Sequence, residues 1–152
     1  MNKLVSIIMP AYNCADYIVE SIRSVQSQTY RNWELIIADD KSTDGTVDIV
    51  RVMAGDDNRI RLLETDRNLG PAAARNRAMD VANGNYIAFL DSDDVWYPDK
   101  LQKQLDFMEA NGYSFTYTAY EKINELGENM GVVISAPKSV DYSSMLYRGD
   151  PI

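Results

Sequence analysis

The sequence predicts an α/β fold: a Rossmann-like, mostly parallel sheet flanked by helices. Three observations carry that expectation. Short runs rich in Val, Ile and Leu recur along the chain, notably Leu4–Met9, Leu35–Ala38 and Tyr86–Leu90. These runs are apolar throughout rather than alternating, the pattern of strands buried on both faces. Between them lie longer segments whose apolar residues fall at helical spacing. Strands separated by helices of this length need right-handed crossovers and pair in parallel.

In order, Leu4-Val5-Ser6-Ile7-Ile8-Met9 reads as a first strand ended by Pro10. Ala15, Ile18, Val19, Ile22 and Val25 then mark one face of a first helix, closing over Gln26 to Thr29. Leu35-Ile36-Ile37-Ala38 is a second buried strand, ending in Asp39-Asp40. Ser42-Thr43-Asp44-Gly45 supplies turn and capping residues ahead of a helix carrying Val47, Ile49, Val50 and Met53. Arg59 to Glu64 gives a third strand. Asn68-Leu69-Gly70-Pro71 punctuates, and a third helix spans about Ala72 to Ala82, with Ala74, Ala78, Val81 and Ala82 on one face. The run Tyr86–Leu90 is expected at the centre of the sheet. Pro98 suits the first turn of a fourth helix with Leu101, Leu105 and Met108 inward and Asn111-Gly112 as its stop. A further strand is expected from Ser114 to about Tyr120. After Ile123 the pattern weakens, although Val132-Val133-Ile134 has strand composition.

Composition bounds the function. The 152 residues suffice for one domain, with 45% hydrophobic and 25% charged residues. A net charge of -8 argues against non-specific binding to nucleic acid or anionic lipid. One cysteine, Cys14, and no histidine exclude a disulfide framework within the chain, a histidine base and a cysteine-rich zinc site. The lone thiol suits a reducing cytoplasm. No signal-peptide pattern follows Met1-Asn2-Lys3, and no run approaches the roughly 18 apolar residues of a membrane span.

The strand ends carry the chemistry. Neither G-x-G-x-x-G nor a Gly-Lys-Ser/Thr loop is present, so two familiar phosphate sites are missing. Instead the first strand delivers Pro10-Ala11-Tyr12-Asn13, the second Asp39-Asp40, and the run Tyr86–Leu90 delivers Asp91-Ser92-Asp93-Asp94. Open α/β sheets bind ligands at the carboxyl ends of their strands. Clustered acid there points to a divalent cation and a phosphate-bearing ligand, with a turn that caps the next helix as the alternative. Asp39 and Asp40 are consecutive on a strand, so only one should face a pocket. Arg75 is either a cation for an anionic ligand or a surface ion-pair partner. Trp96 and Tyr97 read as packing beneath the acidic loop rather than as sugar platforms.

Ile8–Asn13, Trp33–Asp44, Asn68-Leu69-Gly70 with Ala74-Arg75-Asn76, and Gly84–Asp94 together resemble glycosyltransferase family 2. They follow that family's order and spacing over roughly residues 4–110. The resemblance implies the GT-A fold and the nucleotide-sugar half of an inverting glycosyltransferase, with a UDP-sugar donor. The acceptor would be a glycan, lipid-linked or other hydroxyl, in polysaccharide, lipopolysaccharide or protein-linked glycan assembly. It further implies that Pro10, Ala11 and Tyr12 wall the base, with Tyr12 against the ring, and that Asp40 accepts the imide N–H of uracil. Asn68 and Gly70 would shape the loop presenting the third helix, and Arg75 would reach the base or diphosphate. Asp93 would ligate Mg²⁺ or Mn²⁺. Asp91 would contact the ribose or reach the metal through water, with Ser92 between them and Asp94 capping the turn. Cys14 reads as a bystander.

The family's catalytic base, usually an aspartate, has no match here. Asp141 and Asp150 come too early in the pattern, and Tyr147–Ile152 resembles the approach to the acceptor half. The expectation is therefore one domain over 1–152, donor half about 4–110, with the acceptor half and base largely beyond Ile152. Such a chain binds donor and transfers little, in the cytoplasm, with the full-length protein peripheral to the inner face of the plasma membrane. A non-catalytic nucleotide-sugar-binding or scaffold module is the alternative. A phosphoacceptor regulatory domain fits poorly, because its acids belong at the first and third strands with a lysine after the fifth.

Overall fold

The structure is a computed structural model and describes residues 3–137. Asp141, Asp150 and the Tyr147–Ile152 segment lie outside the described residues. The chain divides into two compact units, Met1–Leu105 and Asp106–Ile152.

The first unit holds four parallel strands in the order β3-β2-β1-β4. They are β1 (Val5–Ala11), β2 (Trp33–Asp39), β3 (Ile60–Glu64) and β4 (Tyr86–Phe89). Three helices alternate with them: α1 (Ile18–Gln26), α2 (Thr46–Asp56) and α3 (Pro71–Asp80). All seven residues of β1 are buried, as expected of a strand paired on both edges. Its alternate side chains serve two cores. Val5, Ile7, Met9 and Ala11 join Ile18, Ile22 and Val25 of α1, Val50 of α2 and Leu101 and Leu105 in the larger one. Ile8 packs with Ile36, Ala38 and the alanines Ala74 and Ala78 of α3 in the smaller one. Small residues let α3 lie close on the sheet. Its expected apolar face is narrower than the spacing implied, since Val81 is 36% exposed.

Three expectations need correction. First, β1 does not stop at Pro10 but pairs with β2 through Ala11↔Asp39. The Ile8 carbonyl faces β4, accepting the Leu90 N–H at 3.1 Å, so Pro10, two residues on, also faces that side. Pairing with β4 has already ended there, at Ile8↔Phe89, so the missing N–H of Pro10 breaks no bond. Second, β4 is the edge of the four-stranded sheet, not its centre, and Ile87 and Phe89 are 42% and 50% exposed. Its apolar run reports two apolar faces but says nothing of how many strands flank it. Third, no ladder forms over 114–119.

Helix α1 also begins later than Ala15, because residues 14–17 form a turn in which the Tyr17 and Ile18 N–H groups donate to the Cys14 carbonyl. Helix α4 (Lys100–Asn111) follows the acidic loop, buries Leu101 and Leu105, and ends ahead of Gly112 as expected. In the second unit, β5 (Tyr120–Ile123) and β6 (Asn129–Ile134) make an antiparallel hairpin in place of a further parallel strand.

At the start of β3, Arg59 lies over the Trp33 ring at 3.7 Å and donates to Asp57 from both Nε (2.9 Å) and Nη2 (2.7 Å). The Arg59 hydrogen bond holds the Asp57 carboxyl down at about 2, against 3.8 ordinarily. A depressed folded-state value contributes stability above the unfolded pKa that is lost as pH falls through the folded one. Asp57→Asn is therefore expected to lower stability by about 1 kcal/mol near neutral pH, with the difference vanishing toward pH ~2, measured by denaturant titration across pH.

Candidate active site

The chain runs outward from β1 to β2 and β3, then returns to place β4 on the other side of β1. That reversal is where open α/β sheets leave a crevice at their carboxyl ends. A cavity of about 550 Å³ lies there. Pro10, Ala11 and Tyr12 enter it from the end of β1, Asp40 from β2, and Asp91, Ser92 and Asp93 from β4. Asn68 and Gly70 line it from the loop before α3, and Arg75 from the first turns of that helix. All ten residues singled out from the sequence meet in this one pocket. Pro71 and Ala74 complete its lining and were not singled out.

The consecutive acids of β2 separate as the strand geometry requires. Asp39 and Asp40 are each 2% exposed, but only Asp40 lines the cavity. Asp39 accepts the Ser42 N–H at 2.9 Å and the Ser42 hydroxyl, so it is a turn-capping residue. Asp40 reaches the opposite loop. Its Oδ1 accepts the Leu69 N–H at 2.9 Å, and its Oδ2 accepts the Gly70 N–H at 2.6 Å. Gly70 has φ of 86°, a conformation that favours glycine and lets two successive N–H groups face one carboxylate. The acid foreseen as a base contact thus also fixes the Asn68–Gly70 loop.

The β1 and β2 loops are stitched together by side chains. Asn13, at φ 48°, accepts the Thr43 N–H on Oδ1 at 2.8 Å and donates its own N–H to Ser42 Oγ at 2.9 Å. Asp44 accepts the Ala15 N–H at 3.1 Å and the Thr46 N–H at 3.0 Å, serving the turn ahead of α1 and the start of α2 at once. Cys14 is buried, and its N–H donates to Thr46 Oγ1 at 2.9 Å; its thiol has no part in the pocket. The Tyr12 ring, carried between these anchors, is 52% exposed.

On the β4 side, Arg75 Nη2 lies 2.5 Å from Asp91 Oδ1, so Arg75 is an ion-pair partner, as one of its two readings expected, and the pair lines the pocket. Asp93 is exposed and has no hydrogen-bond or ion-pair partner among the described residues. Asp94 does not cap through its carboxylate; its N–H donates to the Asp91 carbonyl at 3.1 Å and closes the turn. Burial, and then the neighbouring charges of Asp93 and Asp91, push its carboxyl above the ordinary range. This excess of negative charge is the kind a divalent cation relieves. Among the described residues no three acidic, histidine or cysteine side chains converge as a metal cage. An ion here would take one or two carboxylates and complete its shell from phosphate and water, as Mg²⁺ and Mn²⁺ do.

Two supports of the acidic loop were not singled out from the sequence. Ser21 Oγ donates to the Ser92 carbonyl at 2.8 Å. The fully buried Gln28 side chain donates to the Tyr97 carbonyl at 2.8 Å and accepts the Leu101 N–H at 3.0 Å. Both sit three residues beyond an apolar position of α1, Ile18 and Val25, so a polar residue on an apolar stripe was the available signal. Trp96 packs against the larger core as expected, with the Lys100 ammonium 3.7 Å over its ring; Tyr97, by contrast, is 63% exposed. Burial pushes Lys100 down to about 8.

The comparisons with known proteins agree with this geometry. The chain matches glycosyl transferase family 2 over residues 6–150. It is 46% identical over 143 residues to the putative teichuronic acid biosynthesis glycosyltransferase TuaG of Bacillus subtilis, covering 94% of this chain and 57% of that protein. Over 145 residues it is also 46% identical to WfgD of Escherichia coli, a UDP-Glc:alpha-D-GlcNAc-diphosphoundecaprenol beta-1,3-glucosyltransferase, covering 94% and 55%. Among solved structures, S. aureus TarS in complex with UDP superposes with a TM-score of 0.67 at 31% identity, over 71% of this chain and 32% of that one. The mannosyltransferase PcManGT of Pyrobaculum calidifontis, solved with GDP-Man and Mn²⁺, gives 0.66 at 31%, over 70% and 32%. The fold is therefore GT-A. The chain belongs to glycosyltransferase family 2, and it spans about half the length of the curated relatives it matches.

Removing the Asp40 carboxylate leaves the Leu69 N–H without an acceptor and the Gly70 N–H, shared with Asn68 Oδ1 at 3.2 Å, with that weaker partner alone. Asp40→Ala is expected to cost about 2–4 kcal/mol, since hydrogen bonds to a charged group are worth ~1.5–3 kcal/mol each and one donor is shared. Thermal melts read the loss, and amide exchange at Leu69 and Gly70 locates it.

Proposed function

We propose that this chain binds a nucleoside-diphosphate sugar, UDP-linked, and forms the donor side of a metal-assisted, inverting glycosyltransferase of glycan assembly. One observation carries the reading. Tyr12, Asp40, Arg75, Asp91 and Asp93 face one cavity at the strand reversal, on a scaffold shared with a UDP-bound protein. The cavity is of the size that small-molecule sites occupy.

In this reading the exposed Tyr12 ring covers the base. Asp40 takes the Leu69 N–H across both oxygens and the Gly70 N–H on Oδ2. The Thr65 hydroxyl, 3.5 Å from Oδ1, donates to the Arg67 carbonyl at 2.9 Å. Two firm donors on a carboxylate that accepts about four hydrogen bonds leave a place for the imide N–H of uracil. Cytosine carries no hydrogen there and is disfavoured. Arg75 turns from Asp91 toward the diphosphate, with Ser92, Asn68 and Gly70 shaping the wall. Asp93, and Asp91 directly or through water, would hold Mg²⁺ or Mn²⁺. When bound, such an ion stabilises negative charge on the departing diphosphate. An acceptor hydroxyl then attacks the anomeric carbon opposite the leaving group, which inverts that centre. The hydroxyl proton passes to a base that this proposal places outside residues 1–152.

The acceptor class follows the relatives. The name of WfgD specifies a UDP-glucose donor and a diphosphoundecaprenol-linked acceptor. A lipid-linked acceptor agrees with a cytoplasmic protein held peripherally at the inner face of the membrane. No helix among the described residues is long and apolar enough to cross a membrane.

Calorimetry with UDP in the presence and absence of Mn²⁺ tests the donor assignment. Wild type is expected to bind UDP in a metal-dependent way, and Asp93→Ala to weaken that binding by about tenfold or more, ~1.4 kcal/mol. Unchanged metal-dependent binding in Asp93→Ala would remove the metal assignment. Robust glycosyl transfer by residues 1–152 alone would overturn the placement of the base.

A further inference from the structure

Strand β4 has four residues and pairs only with β1 among the described residues. Its register nevertheless decides where Asp91 and Asp93 stand. A slip of one residue would move them by about 3.3 Å and turn each side chain to the other face. Something other than the short ladder must fix it.

At the opposite end of the sheet from the pocket, side chains hold the entry to β4: Asn85 Oδ1 accepts the Leu4 N–H at 3.1 Å, and Glu34 provides a second tie. Glu34, the second residue of β2, is in register with Ser6 of β1. Both share the face of Ile36 and Ile8, two residues further on, which α3 covers. Glu34 Oε1 accepts the Ser6 hydroxyl at 2.6 Å and the Asn83 N–H at 2.7 Å. Ser6 Oγ in turn accepts the Gly84 N–H at 2.8 Å. Arg61 Nη1 lies 3.5 Å from Glu34 Oε2 and donates to the Val81 carbonyl at 3.2 Å. Burial pushes the Glu34 carboxyl up, but the Ser6 and Asn83 hydrogen bonds and the Arg61 charge outweigh it and hold it below its ordinary value.

The approach is close enough to demand glycine. A Cβ on Gly84 would stand 2.5 Å from the Ser6 nitrogen and 2.6 Å from its Oγ. Val81 is the C-cap of α3, and Asn83 and Gly84 lead into β4. One carboxylate therefore ties the end of α3 to the start of β4. Arg75 hangs from the first of these elements and Asp91 from the end of the second, and they meet at 2.5 Å.

We propose that Glu34, acting through Ser6 and the backbone of Asn83 and Gly84, is a positioning residue of the donor pocket. It sets where α3 ends and β4 begins, and so how Arg75, Asp91 and Asp93 face one another. The link to the pocket's function rests on the donor-site reading; the link from Glu34 to β4 does not.

The test compares Glu34→Ala with Val50→Ala, a fully buried core truncation outside this network, at matched loss of melting temperature. Two measurements are made on residues 1–152. Amide exchange of Leu90, which needs no ligand, is expected to quicken by about tenfold in Glu34→Ala relative to Val50→Ala, the scale set by losing a charged hydrogen bond. Equal exchange in the two variants overturns the proposal whether or not wild type binds UDP. Where wild type binds UDP with Mn²⁺, Glu34→Ala is expected to lose about tenfold more affinity than Val50→Ala. Equal losses would make Glu34 a stability residue only and also overturn it. Should Glu34→Ala fail to fold, Glu34→Gln takes both measurements. Its retained acceptor oxygen predicts smaller shifts in the same direction, and no shift in either overturns the proposal. Failure of wild type to bind UDP counts against the donor-site reading alone, and the exchange comparison still decides the role of Glu34 in placing β4.

Discussion

The two edges of β1 are not paired to the same height, and the pocket exists because of that mismatch. Pairing with β2 continues to Ala11↔Asp39, whereas pairing with β4 ends at Ile8↔Phe89. Pro10 stands where the second ladder would continue and has no N–H to offer it. The chain leaving β4 diverges from β1 as Leu90 gives way to Asp91, and a gap opens between them. Pro10 and Ala11 form one side of that gap, and the acidic loop forms the other.

Charge sets what can enter. The pocket holds one guanidinium, Arg75, against the carboxylates of Asp40, Asp91 and Asp93. The guanidinium is engaged with Asp91. A diphosphate entering alone would meet net negative charge at short range. A cation arriving with it changes the sign of that interaction and frees Arg75 to turn. In the proposed reading, metal dependence and Arg75 repartnering would be two consequences of one local imbalance.

The sequence exposed the site more fully than the sheet. Acid, Tyr12 and Arg75 could be read because strand ends in this architecture converge, so chemistry placed there meets wherever the strands fall in order. Strand position was less legible. Tyr86–Leu90 is apolar on both faces, and face composition carries no information about the edges, where hydrogen bonding decides neighbours. The interval 114–120 failed for a related reason: strand composition without a parallel partner gives no ladder, and the chain pairs later, as β5 with β6. Glu34 was invisible for a third reason. Its partners Ser6 and Asn83 are 28 and 49 residues away, beyond any local pattern.

What separates the acids of this chain is whether the backbone has already claimed them. Asp39 closes its own turn with Ser42, Asp44 serves Ala15 and Thr46, and Glu34 takes Ser6 and Asn83. Each of these carboxylates satisfies N–H groups that would otherwise stand unpaired at a helix start, a turn or a strand entry, so each is committed to the fold. Asp93 satisfies none. Asp40 lies between the two cases, holding Leu69 and Gly70 while facing the cavity. A ligand that engages Asp40 therefore acts on a group that already holds the loop before α3, and α3 carries Arg75. In the proposed reading, recognition of the base and placement of Arg75 would in this way be coupled through a single carboxylate.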